Sequence, residues 1–238
     1  MPFKINPFTG RLDYFSESSF SQSEIDELKE LVFDEFQISN DADVSYFEKG
    51  VETDINFSYD VTPNDDTVTS IVYDGVSQPV SQLTHSILKA AKTATQSITI
   101  NVNVEDVAYN STLQKTSTET VPAYVPQFAG ASSNENITSS DELSYAGASA
   151  LTKYVQSSDN IDHEFTLADE YAYFVSAKNN AEIYDQNDFQ QSVGTWGDNV
   201  SEFYVKEITL TLADGSTETM YLYRTRTLKN TTMTYKIR

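Results

Sequence analysis

The sequence has no cysteine, only two histidines, and 15 lysine and arginine residues against 36 aspartates and glutamates. Without cysteine there is no disulfide scaffold, no thiol catalysis and no cysteine-based metal site. The net charge of −21 repels the phosphates of nucleic acids and of anionic membranes. We therefore expect neither a nucleic acid nor a membrane as a partner.

Residues that usually carry catalysis form no recognisable set. His85 and His163 are far apart in sequence, and no group of residues has the spacing of zinc ligands. The eight glycines are dispersed, so there is no phosphate-binding loop and no Gly-x-Ser-x-Gly elbow. The acidic stretches 41–43 and 185–188 do not fit a calcium loop and are predicted to be solvated turns. We predict a protein that is not an enzyme and that needs no cofactor and no metal.

Long hydrophobic runs are also absent. No apolar run approaches the ~18 residues of a membrane-spanning helix. The first residues lack the apolar stretch of a signal peptide. We expect a protein made in a reducing cytosol, which also suits the lack of cysteine.

Aromatic residues are plentiful, with 15 tyrosines and 13 phenylalanines, and these residues favour strands. Apolar and polar residues alternate with a period of two over 55–61, 98–104 and 232–237, and 208–223 read as a hairpin around Asp214-Gly215. Residues 171–175 alternate little, which predicts a strand buried on both faces. Residues 81–95 are ambiguous between a short helix and a strand with a loop. The pattern predicts a mainly β fold with two antiparallel sandwich modules.

The domain organisation follows from these patterns and from the breaks between them. Proline, glycine and small polar residues mark a linker between two β modules. The predicted parts are an extended peptide at 1–20, a short α-helix at 21–40, a first β-sandwich at 44–122, a linker at 123–140 and a C-terminal β-sandwich at 141–238.

The N-terminal peptide is polar but carries five aromatic rings, which it cannot bury alone. It either packs back on the body of the protein or docks on a partner. Because a few buried rings carry most of an interface's affinity, the candidates for partner docking are Phe3, Phe8, Tyr14 and Phe15.

The helix has an apolar stripe on one face over residues 22–37. The stripe either packs on the protein's own sheets or contacts copies of the same chain. Its candidate oligomer contacts are Ile25, Leu28 and Val32. The heptad-like spacing lasts less than two heptads, which excludes a long coiled coil.

Trp196, the single tryptophan, lies between two glycines in Gly194-Thr195-Trp196-Gly197. Such a ring can stack on the face of a sugar or anchor an interface. Alternatively, it fills the core of the C-terminal module.

Two parts of the sequence resemble structural virion proteins of tailed bacteriophages, crAss-like phages included. Residues 2–15 resemble an N-terminal "NPFTGKLD" peptide of these proteins. The segments 171–174, 183–189, 208–223 and 232–237 are similar to the aromatic strand, turn, hairpin and closing strand of their C-terminal β domain. Residues 46–50 and the strand after them look like an immunoglobulin-like module that often precedes it. The chain departs from the pattern where Asn187-Asp188 replaces Asn-Gly and where Ile237-Arg238 replaces an aromatic end.

The resemblance implies a head-fibre or tail-fibre component or a tail adaptor, located in the virion after assembly in the host cytoplasm. It implies that the N-terminal peptide attaches to other virion structural proteins and that the β modules are immunoglobulin-like and project outward. It favours a homo-oligomer, a trimer in particular. It also implies the alternative of a module that binds a host-surface glycan, for which Trp196 is the candidate stacking residue.

Overall fold

The computed structural model describes residues 3–5, 12–14, 36–64, 66–106, 111–135, 142–144, 148, 151–158 and 160–238. Over these residues the chain is mainly β and forms several antiparallel sheets, so the predicted fold class is confirmed at this level. The described residues include no helix that is both long and apolar enough to cross a membrane.

The strands are numbered in chain order. The first are β1 (Phe3–Ile5), β2 (Leu12–Tyr14), β3 (Gln37–Ala42), β4 (Phe47–Glu48), β5 (Thr53–Thr62), β6 (Thr67–Tyr73), β7 (Val76–Gln78), β8 (Thr84–Lys92), β9 (Gln96–Asp106), β10 (Ser111–Val121) and β11 (Ala123–Tyr124). The others are β12 (Gln127–Ser132), β13 (Glu142–Ser144), β14 (Thr152–Tyr154), β15 (Ile161–Ser176), β16 (Ile183–Tyr184), β17 (Gln190–Gln191), β18 (Val193–Thr195), β19 (Phe203–Thr211), β20 (Thr217–Thr225) and β21 (Lys229–Ile237).

The contacts divide the chain into two compact units whose boundaries differ from the predicted domains. The first unit comprises Met1–Asp41, Ser58–Ser86 and Ile98–Glu119. The second comprises Ala42–Phe57, Ile87–Ser97 and Thr120–Arg238. The boundary therefore cuts across β3, β5, β8, β9 and β10 instead of falling in a linker after residue 122.

Within the predicted N-terminal peptide, residues 3–5 and 12–14 form two paired strands. Strands β1 and β2 pair antiparallel, with Phe3 opposite Tyr14 and Ile5 opposite Leu12, and form a two-stranded sheet of their own. Three-residue strands are too short to show a sequence period, but the turn signals at residues 6–10 are in the position that a hairpin requires. Phe8 and Phe15 lie outside the described residues.

The predicted helix at 21–40 is wrong at its C-terminal end, because residues 37–40 belong to strand β3. The amide of Asn40 is buried and donates hydrogen bonds to the carbonyl oxygens of Ile98 (3.0 Å) and Ser117 (3.3 Å). These non-local bonds favour the extended backbone over a helix. Residues 21–35 lie outside the described part of the chain, and Ile25, Leu28 and Val32 with them.

Residues 37–121 supply two sheets. One has the order β3-β5-β8 and the other the order β10-β9-β6-β7. The predicted alternation is confirmed, since the apolar residues of two strands are buried: Ile55, Phe57, Tyr59 and Val61 in β5, and Ile98, Ile100, Val102 and Val104 in β9. The ambiguous segment 81–95 contains the strand β8.

Aromatic rings join strands in the core of the first unit. Tyr59 of β5 and Tyr73 of β6 meet edge to face with their ring centroids 4.7 Å apart. His85 lies beside both rings. The Tyr59 hydroxyl donates to the carbonyl oxygen of Gln82 (2.8 Å), so this buried polar group is satisfied.

The second unit is built on a ten-stranded sheet around the long strand β15. The first half of β15 pairs with β21, and its second half pairs with β12 and β20. The register shifts between Ala168 and Glu170, and Asp169 between them has a φ of +58°. This bulge lets a single strand take different partners along its length.

The linker predicted at 123–140 is wrong over residues 127–132. This stretch is strand β12, which pairs with β14 and with β15 and is buried at Gln127, Phe128, Ala129 and Gly130. A Cβ atom on Gly130 would lie 2.8 Å from the Cδ2 atom of Leu151. The small residues that resemble a linker are needed here for close packing inside the sheet.

The large sheet has an apolar core on each face. One contains Phe165, Phe174, Phe203 and Tyr235, and the other contains Tyr173, Val175, Ile208 and Leu222. Because consecutive residues of β15 enter opposite cores, the prediction of a strand buried on both faces at 171–175 is confirmed.

A turn at Gly50 is fitted closely against Leu212 within the second unit. Gly50 has a φ of +84°, and a Cβ atom there would lie 2.7 Å from the Cβ atom of Leu212. The neighbouring residues form ion pairs, Lys49 with Glu218 and Glu48 with Lys153.

We expect Gly50→Ala to lower the free energy of unfolding by about 2–4 kcal/mol, because it combines left-handed strain with overpacking. Gly215→Ala is the matched control, since Gly215 has a φ of +82° and open space around the missing Cβ. Urea denaturation measures both variants. Equal losses of stability would show that the contact with Leu212 contributes nothing.

Candidate functional site

The two histidines each have their own partners. The Nδ1 atom of His85 lies 2.8 Å from the Nε2 atom of Gln82. The Nδ1 atom of His163 lies 2.8 Å from the hydroxyl of Tyr154, and burial lowers the pKa of this imidazole. No group of three potential metal-binding His, Cys, Asp or Glu side chains occurs among the described residues.

The acidic turn at 185–188 is held by its own first residue. The Oδ1 atom of Asp185 accepts hydrogen bonds from the backbone N–H groups of Asn187 (2.8 Å) and Phe189 (3.1 Å). Asp188 adopts a φ of +61° and pairs with Lys236. The carboxylates thus serve the turn itself, and the turn leaves the ring of Phe189 68% exposed.

Trp196 is partly buried at the edge of one core, where its ring meets two cations. The Nζ atom of Lys206 lies 4.8 Å from the ring centroid, and the Cζ atom of Arg224 lies 4.5 Å from it. The ring of Tyr204 is 6.0 Å away. The ring therefore has core contacts and cation–π partners, and sugar stacking by Trp196 stays a prediction.

Arg224 is the centre of this aromatic cluster. Its side chain is 1% exposed, and its guanidinium also lies over the rings of Tyr171 (4.4 Å) and Tyr204 (5.5 Å). Its Nη1 atom donates to the carbonyl oxygen of Glu135 (2.5 Å) and lies 3.5 Å from the carboxylate of the same residue. A cation buried in this way is stabilised by ring faces and by one short segment of backbone.

Tyr173 holds the same segment as Arg224. Its hydroxyl donates to the carbonyl oxygens of Asn134 (2.5 Å) and Glu135 (2.9 Å). Burial raises the pKa of Tyr173 to about 12, although the neighbouring Arg224 acts to lower it. The cluster is therefore built to fix residues 134–135 against the sheet.

A cleft of about 620 Å³ lies between the loop at 180–182 and the strands β17, β18 and β19. One of its lining residues, Thr195, directly precedes Trp196 in the sequence. Half of the ten described residues that line the cleft are uncharged and polar, four are apolar and one, Glu182, is charged. The polar residues are Asn180, Glu182, Gln190, Gln191, Ser192 and Thr195.

The walls of the cleft are fixed by hydrogen bonds. The N–H of Ala181 donates to the hydroxyl oxygen of Tyr223 (3.0 Å), and that hydroxyl donates to the carbonyl oxygen of Lys178 (2.7 Å). On the opposite side, the N–H of Phe203 donates to the carbonyl oxygen of Ser192 (2.9 Å). A site with walls held in this way loses little conformational entropy when it binds a ligand.

Of the site residues predicted from the sequence, the structure describes Phe3, Tyr14 and Trp196. Phe3 and Tyr14 are brought opposite each other in the N-terminal hairpin. Sequence reasoning missed Arg224 and the cleft. The available signals were a basic residue inside the apolar strand at 220–225 and the four amide residues among the six at 186–191.

Comparisons of the chain with protein-family models, with curated proteins and with solved structures gave no match.

Proposed function

We propose that the chain is a structural, non-catalytic protein of a tailed-phage virion, a fibre component or tail adaptor, which attaches to the particle through its N-terminal hairpin. The observation that carries the proposal is the hairpin of β1 and β2. Its register places four apolar positions, Phe3, Ile5, Leu12 and Tyr14, on one face and the charged positions Lys4 and Asp13 on the other.

A hairpin of two three-residue strands is marginally stable by itself. Among the described strands, β1 and β2 pair only with each other. An apolar face of this kind gains stability when another protein covers it, and rings such as Phe3 and Tyr14 are typical anchors of an interface. The partner in the proposal is another structural protein of the virion.

The strand order supports an immunoglobulin-like sandwich for the first β module. Seven strands alternate between two sheets, with β3, β5 and β8 in one and β6, β7, β9 and β10 in the other. Compared with a constant-type immunoglobulin domain, the fourth of these seven strands, β7, joins the second sheet, and an additional short strand, β4, pairs with β11 outside both sheets. The proposal retains the expected homo-oligomer, with a trimer favoured and the contacts on Ile25, Leu28 and Val32.

Deletion of residues 1–15 is expected to abolish incorporation of the protein into assembled particles while leaving a folded protein. Immunoblots of purified particles measure incorporation, and circular dichroism of the purified variant measures folding. Phe3→Ser with Tyr14→Ser should reproduce the loss of incorporation. The matched control, Lys4→Ser with Asp13→Ser, changes only the charged positions and should incorporate normally. Normal incorporation of the deletion variant, or an unfolded product, contradicts the proposal.

A further inference from the structure

We infer that the polar cleft between residues 180–182 and strands β17 to β19 is a binding site for a neutral oligosaccharide. The inference depends on the cleft alone and not on attachment to a particle, so it and the proposed function can fail independently. Nothing in the sequence-based predictions places a ligand here, because those predictions assigned sugar stacking to Trp196.

The first argument is the chemistry of the lining. Side chains of Asn180, Gln190, Ser192 and Thr195 offer amide and hydroxyl groups that both donate and accept hydrogen bonds. Sugar hydroxyls also donate and accept, so each can pair with such a group. Gln190, Ser192 and Thr195 are exposed and can be reached by a ligand.

The second argument is charge. The chain carries 36 acidic residues, yet Glu182 is the one ionisable residue that lines the cleft among the described residues. One of its carboxylate oxygens accepts a hydrogen bond from the hydroxyl of Tyr184 (2.7 Å). An anionic ligand would meet the field of a protein with a net charge of −21, and no basic side chain is among the described lining residues to offset that field. The best ligand is therefore uncharged and rich in hydroxyl groups.

The third argument is the exposed ring of Phe189, which does not line the cleft itself but directly precedes the lining residue Gln190 in the chain. It is 68% exposed, whereas most rings of this unit are buried. The turn that presents it is fixed, because the N–H of Phe189 donates to Asp185 and the carbonyl oxygen of Phe189 accepts from the N–H of Asp185 (3.0 Å). A fixed, exposed ring next to polar groups provides apolar contact area for the C–H face of a sugar.

The fourth argument is the rigidity and size of the site. The side-chain amide of Gln191 donates to the Oδ2 atom of Asp185 (3.2 Å), so the floor of the cleft is tied to the turn that carries Phe189. Gly194 allows its strand to pass close to Asp198, since a Cβ atom on residue 194 would lie 1.8 Å from the Oδ2 atom of Asp198. A volume of about 620 Å³ falls in the range of ligand sites, about 300–1,000 Å³.

The test is a titration of the full-length, isotope-labelled protein with neutral hexasaccharides of glucose, mannose, galactose and N-acetylglucosamine, followed by NMR. At least one of these probes is expected to bind with a Kd of about 1 mM or lower. Binding should shift the backbone amide resonances of Gln190 to Thr195 and leave the indole N–H of Trp196 nearly unchanged. A hexasaccharide of galacturonic acid should bind at least about tenfold more weakly than the best neutral probe.

Two variants localise the site. Phe189→Ala and Thr195→Arg should each weaken binding of that probe about tenfold or more, the first by removing the ring and the second by filling the cleft. Leu228→Ala is the matched control, because Leu228 is an exposed apolar residue that does not line the cleft. The inference is overturned if no neutral probe shifts the cleft amides, if the shifts centre on Trp196, or if Phe189→Ala and Leu228→Ala bind alike.

Discussion

Replacing Arg224 with alanine is expected to lower the free energy of unfolding of the second unit by about 3–5 kcal/mol. The substitution removes the hydrogen bond to the Glu135 carbonyl oxygen and the contacts with the rings of Tyr171 and Trp196. It also leaves a cavity at a side chain that is 1% exposed. Urea denaturation followed by far-ultraviolet circular dichroism measures the loss.

Arg224→Met separates packing from charge. Methionine keeps most of the volume between the rings, and the Glu135 carbonyl oxygen still accepts a hydrogen bond from Tyr173. Because burial of the guanidinium is itself costly, the methionine variant should lose less than half of what the alanine variant loses. Equal losses would mean that the charge, and not the filled volume, stabilises the cluster.

Arg226→Ala is the control for loss of an arginine from the same strand region. Arg226 is only partly buried, and its Nη1 atom donates to the carbonyl oxygen of Asn199 (3.0 Å) in an exposed position. We expect a loss of about 1 kcal/mol or less. A loss as large as that of Arg224→Ala would show that the contacts of Arg224 with the aromatic rings do not account for its effect on stability.

The second large effect is expected at alkaline pH. Burial raises the pKa values of Tyr73, Tyr173 and Tyr235 to about 12 each, whereas tyrosine in an unfolded chain ionises near pH 10. All three side chains are buried. Between pH 10 and pH 12 the unfolded state therefore releases these protons first, and stability falls as the pH rises.

The expected loss is roughly 2 kcal/mol for each tyrosine by pH 12. Tyr173 and Tyr235 both belong to the second unit, so their joint loss of roughly 4–5 kcal/mol approaches the whole stability of a marginally stable domain. The second unit should therefore unfold near pH 12, with a cooperative rise in tyrosinate absorbance that coincides with the loss of circular dichroism.

Tyr235→Phe keeps the ring and removes one ionisable group, so it should reduce the alkaline loss of the second unit by roughly 2 kcal/mol. Phe174→Leu is the matched control in the same core, since it lowers stability without changing any titrating group. Its stability should fall by the same amount at neutral and at alkaline pH. If Tyr235→Phe loses stability with pH as steeply as the wild type, ionisation of this buried tyrosine is not the cause.

Alternation of apolar and polar residues predicted the strands whose two faces have different environments. In β5, the residues from Ile55 to Val61 alternate between core and solvent as the sequence indicates. The hairpin of β19 and β20 could also be predicted from the sequence, because Asp214-Gly215 is a strong turn signal. In the structure, Gly215 has the φ of +82° that such a turn requires. In these elements local propensity and tertiary packing agree.

The stretch 127–132 could not be predicted in the same way. Composition alone reads small residues as flexible, whereas Gly130 is small because Leu151 lies against it. That contact joins positions that are distant in sequence. Contacts between distant positions also explain why the helix prediction was wrong at its C-terminal end. There, Asn40 has its hydrogen-bond partners in β9 and β10.

Arg224 shows why the aromatic cluster could not be predicted from the sequence. A basic residue in a strand is normally placed on the solvent face. Its burial depends on rings and carbonyl groups that arrive from four other segments, at residues 135, 171, 196 and 204. Only the register of the sheet brings them together.

The divided pairing of β15 has a consequence for how the chain reaches its folded state. The first half of this strand has its register partners in residues 229–237, which are synthesised much later. At about 5–20 residues per second on the ribosome, that edge waits for several seconds with unpaired backbone groups. Such an edge recruits other nascent chains, and the charges of Asp162 and Glu164, which alternate with its apolar residues, oppose this aggregation.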